Sequence, residues 1–215
     1  MSNGDVFDNL TDFFTIDNCL ALLLMKQGEK PGVLIMSGDH RQKKKIRKIC
    51  NVEDRHWRVY GSSIEKENLR RKIKKFLGFS SSDPFDTAGI FVARNQERFE
   101  ILEDSSGDFY GFTDSAVGEF LGYEKDSVEF YENLEKNETA VKPYDEKVDE
   151  MLENGDLEED ELKFLELVFY VPVPDREHIM DALTTGRDRW EILSSSETGK
   201  SIWSFWSSSY NTFRR

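Results

Sequence analysis

Residues 40–76, HRQKKKIRKICNVEDRHWRVYGSSIEKENLRRKIKKF, decide how the chain is read. Between Arg41 and Lys75 this stretch holds fourteen Lys and Arg against four Asp and Glu. The remaining residues hold fifteen basic and thirty-eight acidic side chains, and the formal net charge is −13. A basic island therefore sits in an acidic protein.

Two helices are predicted inside the island. Ile46, Ile49 and Cys50 follow the i, i+3, i+4 spacing of one helical face. Lys43, Lys44, Lys45, Arg47 and Lys48 cover the rest of that helix. Over residues 63–77, Leu69, Ile73, Phe76 and Leu77 repeat the pattern, with Arg70, Arg71, Lys74 and Lys75 directed away from it. Ser62 or Ser63 can cap this second helix, and Gly78 is a natural stop. Each helix thus has an apolar stripe and a cationic back.

Outward from the island, short apolar runs read as strands: GVLIM at 32–36, WRVY at 57–60 and AGIFVAR at 88–94, with RFEILED at 98–104 as a fourth. Tight loops, Ser37-Gly38-Asp39-His40 and Gly61-Ser62-Ser63, join strand to basic helix. The order β-loop-α-β-loop-α-β predicts an α/β (or α+β) fold with a small, mainly parallel sheet and helices on its faces. In such a sheet, ligands bind beyond the carboxyl ends of the strands. Ser37, Gly38, Asp39, His40, Gly61 and Ser62 therefore form a candidate pocket for a small phosphorylated or nucleotide substrate, since backbone N–H groups at helix starts favour anions.

Before the island, residues 6–27 read as one or two helices around the run CLALLLM, and GEKPG is a turn. After it, Thr113 or Asp114 caps a short helix that Gly122 breaks, and another follows over 124–134. The phrase VGEFLGYEKDSVEFY resembles a motif of uncharacterised prokaryotic domains, of the general form G-x-F-L-G-Y-P-x-x-x-V-x-x-F. Gly118, Phe120, Leu121, Gly122, Tyr123, Val128 and Phe130 carry the likeness, and Glu124 stands where proline is usual. The resemblance implies no activity. Mechanically it is a helix, a turn stopped by glycine and an aromatic anchor.

Residues 145–162 hold ten acids and one Lys and lack the aspartate spacing of a calcium loop. They can lie across the basic helices and neutralise them. LELVFYVPV at 165–173 is predicted to end in an edge strand, Asp175 to cap a helix from Arg176, and Glu191-Ile192-Leu193 to form a last strand. Trp203, Trp206, Tyr210 and Phe213 make a helical stripe that folds back over the core or meets a partner. The organisation expected is an α/β domain over 1–136, an acidic connection over 137–163 and a strand-helix extension over 164–215. All three would pack on one core, with a helical, acidic C-terminal half ending in an aromatic-rich segment.

Several chemistries are excluded. Glu197-Thr198-Gly199-Lys200-Ser201 contains Gly-Lys-Ser, but Ser194 stands where a phosphate loop needs its first glycine. His40, His56, His178, Cys19 and Cys50 are too scattered for a metal site. No metal, cofactor or catalytic residue is expected; Asp39-His40 in the first loop is an adjacent acid/base pair, and neighbours in sequence point apart. No apolar run approaches the roughly 18 residues of a membrane span, so no membrane partner is expected. Two cysteines fit a reduced, cytoplasmic protein.

The leading expectation is a non-enzymatic protein that binds RNA or DNA through Arg41, Lys43, Lys44, Lys45, Arg47, Lys48, Arg70, Arg71, Lys74 and Lys75. The alternatives are an enzyme at the strand-helix loops, or a protein-interaction module. The last would use the acidic segment and the aromatic tail, through a protein partner or a homodimer.

Overall fold

The structure, a computed structural model, describes residues 7, 9–36, 40–60, 89–103, 105–107, 110–134 and 141–213. Three strands, β1 (Gly32–Ile35), β2 (His56–Tyr60) and β3 (Gly89–Ala93), form the sheet. Its order is β1-β3-β2, and both outer strands pair with β3 antiparallel. Ala93 lies opposite Gly32 on one side and His56 on the other.

The mainly parallel sheet is therefore corrected: the fold is mostly helical with a small antiparallel sheet. The prediction failed on β3. Its run GIFVA is apolar throughout, which suits a strand of a parallel sheet. Here the run is apolar because β3 is central and covered on both faces. Ile90 and Val92 enter one hydrophobic cluster, and Phe91 and Ala93 another. Part of the reading survives. Antiparallel to the same neighbour, β1 and β2 run in the same direction, so helix α2 (His40–Glu53) is a crossover between them that skips the place of β3.

On the first face lies α1 (Ile16–Gln27). Thr15 caps it by accepting the Asn18 N–H, and Gly28, at φ 95, closes it with its N–H on Leu24 and Met25 carbonyls. All seven residues from Cys19 to Met25 are buried. A helix apolar all round must be covered all round. The sheet covers one side of α1; α8 (Arg176–Ser194) and α9 (Glu197–Phe213) cover the other.

On the second face α3 (Glu100–Glu103) and α4 (Asp114–Leu121) enclose an aromatic cluster. Phe91 meets Tyr60, Phe112 and Phe120 edge to face at 5.3–5.8 Å. RFEILED is not a fourth strand. Asn95 Oδ1 accepts the Arg98 N–H, a 3-10 turn runs over Glu97–Phe99, and Phe99 and Leu102, three apart, reach this core from one helical face.

Gly118 and Gly122 of the resembling phrase serve packing. A Cβ at Gly118 would lie 2.8 Å from Val128, so α5 (Lys125–Glu132) can pack against α4 only over a glycine. Gly122, at φ 75, ends α4 as expected.

The acidic segment forms α6 (Val141–Glu153), a turn, and α7 (Leu162–Leu165). Its apolar residues Val148, Met151, Leu157 and Leu162 pack on Ile179, Ala182 and Leu183 of α8. LELVFYVPV is not a strand: α7 leads into a 3-10 turn over Glu166–Val168, and Phe169 takes φ 63. The buried Arg189 satisfies the Leu167 and Val168 carbonyls at 2.7 and 3.0 Å, an acceptor pairing that a sheet would otherwise provide.

Asp175 caps α8 as expected, accepting the His178 N–H. Residues 191–193 lie inside α8, not in a last strand. The Gly-Lys-Ser lies in the first two turns of α9, where the Gly199 N–H donates to Ser196 Oγ. Of the aromatic tail, Ile202 and Trp203 are buried against α1, and Trp203 stacks on Trp206 at 4.8 Å. Among the described residues, no helix is long and apolar enough to cross a membrane.

Candidate functional site

Helix α2 carries the described part of the basic island. Ile46, Ile49 and Cys50 are buried, as their spacing predicts, and Gln42 is anchored by its Nε2 on the Phe13 carbonyl at 2.9 Å. These four residues fix the rotation of the helix. At about 100° per residue they occupy one arc of its circumference. Arg47, Lys44, Lys48 and Arg41 fall in that order within an opposite arc of about 120°, and all four are exposed. Lys43 and Lys45 lie on the two borders and are half-buried.

The six cations are thus not equivalent. Lys45 Nζ lies 5.2 Å from the centre of the Phe13 ring, and the Arg41 guanidinium 5.5 Å from it. Lys44, Arg47 and Lys48 have no carboxylate partner among the described residues. Arg41 to Lys48 spans about 10 Å of helix axis, the rise of roughly three phosphates of one duplex strand.

Arg41 and Lys43 stand at an unexpected end of the helix. The positive pole of a helix lies at its N-terminus, where acidic residues are favoured. The first turn of α2 has none, although the chain is rich in acids. This placement disfavours the isolated helix slightly and favours an anion beside it.

Among the described residues, no ion pair joins the acidic segment to Lys44, Arg47 or Lys48. Asp156 pairs with Arg176 at 3.1 Å, and Glu161 with Arg187, both arginines of α8. Its apolar side is committed to the same helix.

Of the remaining predicted site residues, Arg70, Arg71, Lys74 and Lys75 lie outside the described residues, as do Ser37, Gly38, Asp39, Gly61 and Ser62 of the candidate pocket. His40 opens α2. The pocket was inferred from the carboxyl ends of β1 and β2, which run in the same direction on either side of the antiparallel β3.

The thiols offer no reactive group: burial pushes both Cys19 and Cys50 up to about 12. Among the described residues no group of His, Cys, Asp and Glu is placed to hold a metal.

Sequence reading missed two buried cations. Lys30, in the GEKPG turn, is 2% exposed and donates to the Leu121 carbonyl at 3.3 Å, at the C-terminal end of α4. Its ammonium lies over the rings of Phe169 and Tyr123, at 4.9 and 5.3 Å. Burial, and then the nearby Arg189, lower it from 10.5 to about 7. A lysine between Glu29 and Pro31 in a turn gives no local sign of burial.

No family model matches the chain, and neither does any curated protein or solved structure.

Proposed function

We propose that this protein binds a polyanion, RNA or DNA, through the exposed arc of α2. The observation that carries the reading is the four-residue cationic arc, Arg41, Lys44, Arg47 and Lys48, in a protein otherwise strongly acidic. Lys43 and Lys45 would border the contact. The rest of the molecule repels a polyanion, but at physiological salt the Debye length is about 8 Å. Over that range the arc presents its own charges and the distant acids are largely screened. Contacts from one helix face of Lys and Arg go to phosphates, so binding would be salt-dependent with little base readout. Nothing in this reading requires catalysis, a cofactor or a membrane. A cytoplasmic setting belongs to the same proposal; it agrees with two buried, unpaired thiols.

The test is fluorescence anisotropy of labelled single- and double-stranded RNA and DNA with the wild type and Lys44→Glu/Lys48→Glu. Both side chains are exposed and not needed for the fold. The expected loss is roughly tenfold or more for all strands alike. Unchanged affinity would end the proposal. So would a low-salt dimer, seen by light scattering, that dissociates with salt and is abolished by the same substitutions; the arc would then meet an acidic face of a second copy.

A further inference from the structure

Away from α2, a cleft of about 320 Å³ opens between β1, α4, α5 and the chain around Val171. Its walls are Leu34, Val117, Leu121 and Val128, and three tyrosines, Tyr123, Tyr131 and Tyr170, line it. Met36 and Tyr131, at its edge, are two of the large apolar side chains most exposed to solvent, at 57% and 54%. The volume falls in the range of small-molecule sites, which are apolar with few polar groups.

The one charge lining this cleft among the described residues is negative, while two buried cations stand behind its tyrosines: Lys30 over the Tyr123 ring, and Arg189, whose charge acts on both the Tyr123 and Tyr170 phenols. Asp114 lines it, and no Lys, Arg or His does among the described residues. Ser127, also lining it, donates to Glu124 Oε2 at 3.3 Å, and Tyr170 is hydrogen-bonded to the same carboxylate. The Tyr123 and Tyr170 rings sit 5.4 Å apart, tilted by 41°, so their faces are not stacked flat against each other. Burial first, and for Tyr170 also Glu124, holds both phenols neutral, pushed up to about 12. Lys30 does not line the cleft, although its ammonium lies over the Tyr123 ring.

The Tyr131 and Tyr170 rings, a thioether and the Asp114 carboxylate, with no cation among the described lining residues, suit one chemical class. Such surroundings attract a weakly hydrated organic cation by its charge and bury its methyl groups at the same time. We infer that this cleft binds a small quaternary or alkylated ammonium compound, with the cation against Tyr131 and Tyr170 and its charge directed to Asp114. The site is separate from the cationic arc of α2 and does not depend on it.

The probe is choline, titrated into the whole protein by NMR, against its neutral isostere in which carbon replaces nitrogen. Shape and apolar area are then constant and only charge differs. Choline is expected to bind roughly tenfold or more tightly than the isostere, the range of a partly desolvated cation–π contact. Tyr131→Ala and Asp114→Asn are each expected to weaken choline roughly threefold to tenfold. Both side chains are exposed, so unchanged thermal melts will show that the fold is intact. Equal binding of choline and isostere would overturn the inference by reducing the cleft to an apolar groove. Absence of choline binding at millimolar concentration would overturn it too, as would binding that both variants retain in full.

Discussion

Replacing Lys30 by Met gives the sharpest physical test of the core. Lys30 is charged in the unfolded chain, and burial lowers its folded value from 10.5 to about 7. A group with a depressed value in the folded state binds fewer protons there than in the unfolded state, so stability rises with pH across the interval between the two. The whole displacement corresponds to roughly 4–5 kcal/mol. Between pH 7 and 9 the folded state still holds part of the proton at the start, which leaves a rise of about 2 kcal/mol. Above that window the opposite trend sets in. Cys19, Cys50, Tyr123 and Tyr170 are all pushed up to about 12, and each favours the unfolded state once its ordinary value is passed. The difference between wild type and Lys30→Met removes those shared contributions. Urea melts at pH 7, 8 and 9, with reductant, measure it. The wild type should gain about 2 kcal/mol on the variant over this interval. A constant difference would mean that the buried amine keeps its proton, and the reasoning would fail.

Other perturbations read separate parts of the structure. At Gly186 a Cβ would lie 2.0 Å from the Phe164 carbonyl oxygen, so Gly186→Ala should cost about 3 kcal/mol in denaturant melts by forcing α7 from α8; a neutral result would refute that close approach. His178 meets Asp175 at 2.8 Å and Asp126 at 3.4 Å, and the hydrogen bond to Asp175, then that to Asp126, raises it above 6.5. Its stabilisation is full below 6.5 and fades as pH rises through the raised value, so the Tm deficit of His178→Gln should be largest in mild acid and shrink toward pH 8. Ile49→Ala, at a fully buried position under α2, should cost about 3 kcal/mol while leaving the cationic side chains in place.

Local signals were legible where one element decides its own fate. The Ile46, Ile49, Cys50 stripe, the Asp175 cap and the Gly122 stop depend on neighbours within four residues, and each stands where the sequence puts it. Pairing direction was not legible, because an apolar run reports burial on both faces and not the orientation of its partners. β3 shows this: Ile90 and Phe91 are adjacent in sequence and belong to different cores. The same ambiguity turned helical RFEILED into a strand and placed another at the end of LELVFYVPV, where residues 169–173 are irregular. Their coverings, α4 and Arg189, are distant in sequence. Of the site, the cationic arc was readable from helical spacing, and its four exposed members emerged once Gln42 and Ile46 fixed the helix rotation. The tyrosine cleft was not readable, since β1, α5 and Tyr170 converge only in space.

The salt dependence of nucleic-acid affinity tests the central claim most directly. Each phosphate neutralised contributes about 0.7 to 0.9 to the slope of log affinity against log salt. Replacing Arg41, Lys44, Arg47 and Lys48 together by Gln removes the whole exposed arc without introducing repulsion. The account predicts strong salt dependence for the wild type and a slope shallower by about 3 for the variant. Equal slopes would place any binding elsewhere on the molecule and contradict the assignment to α2.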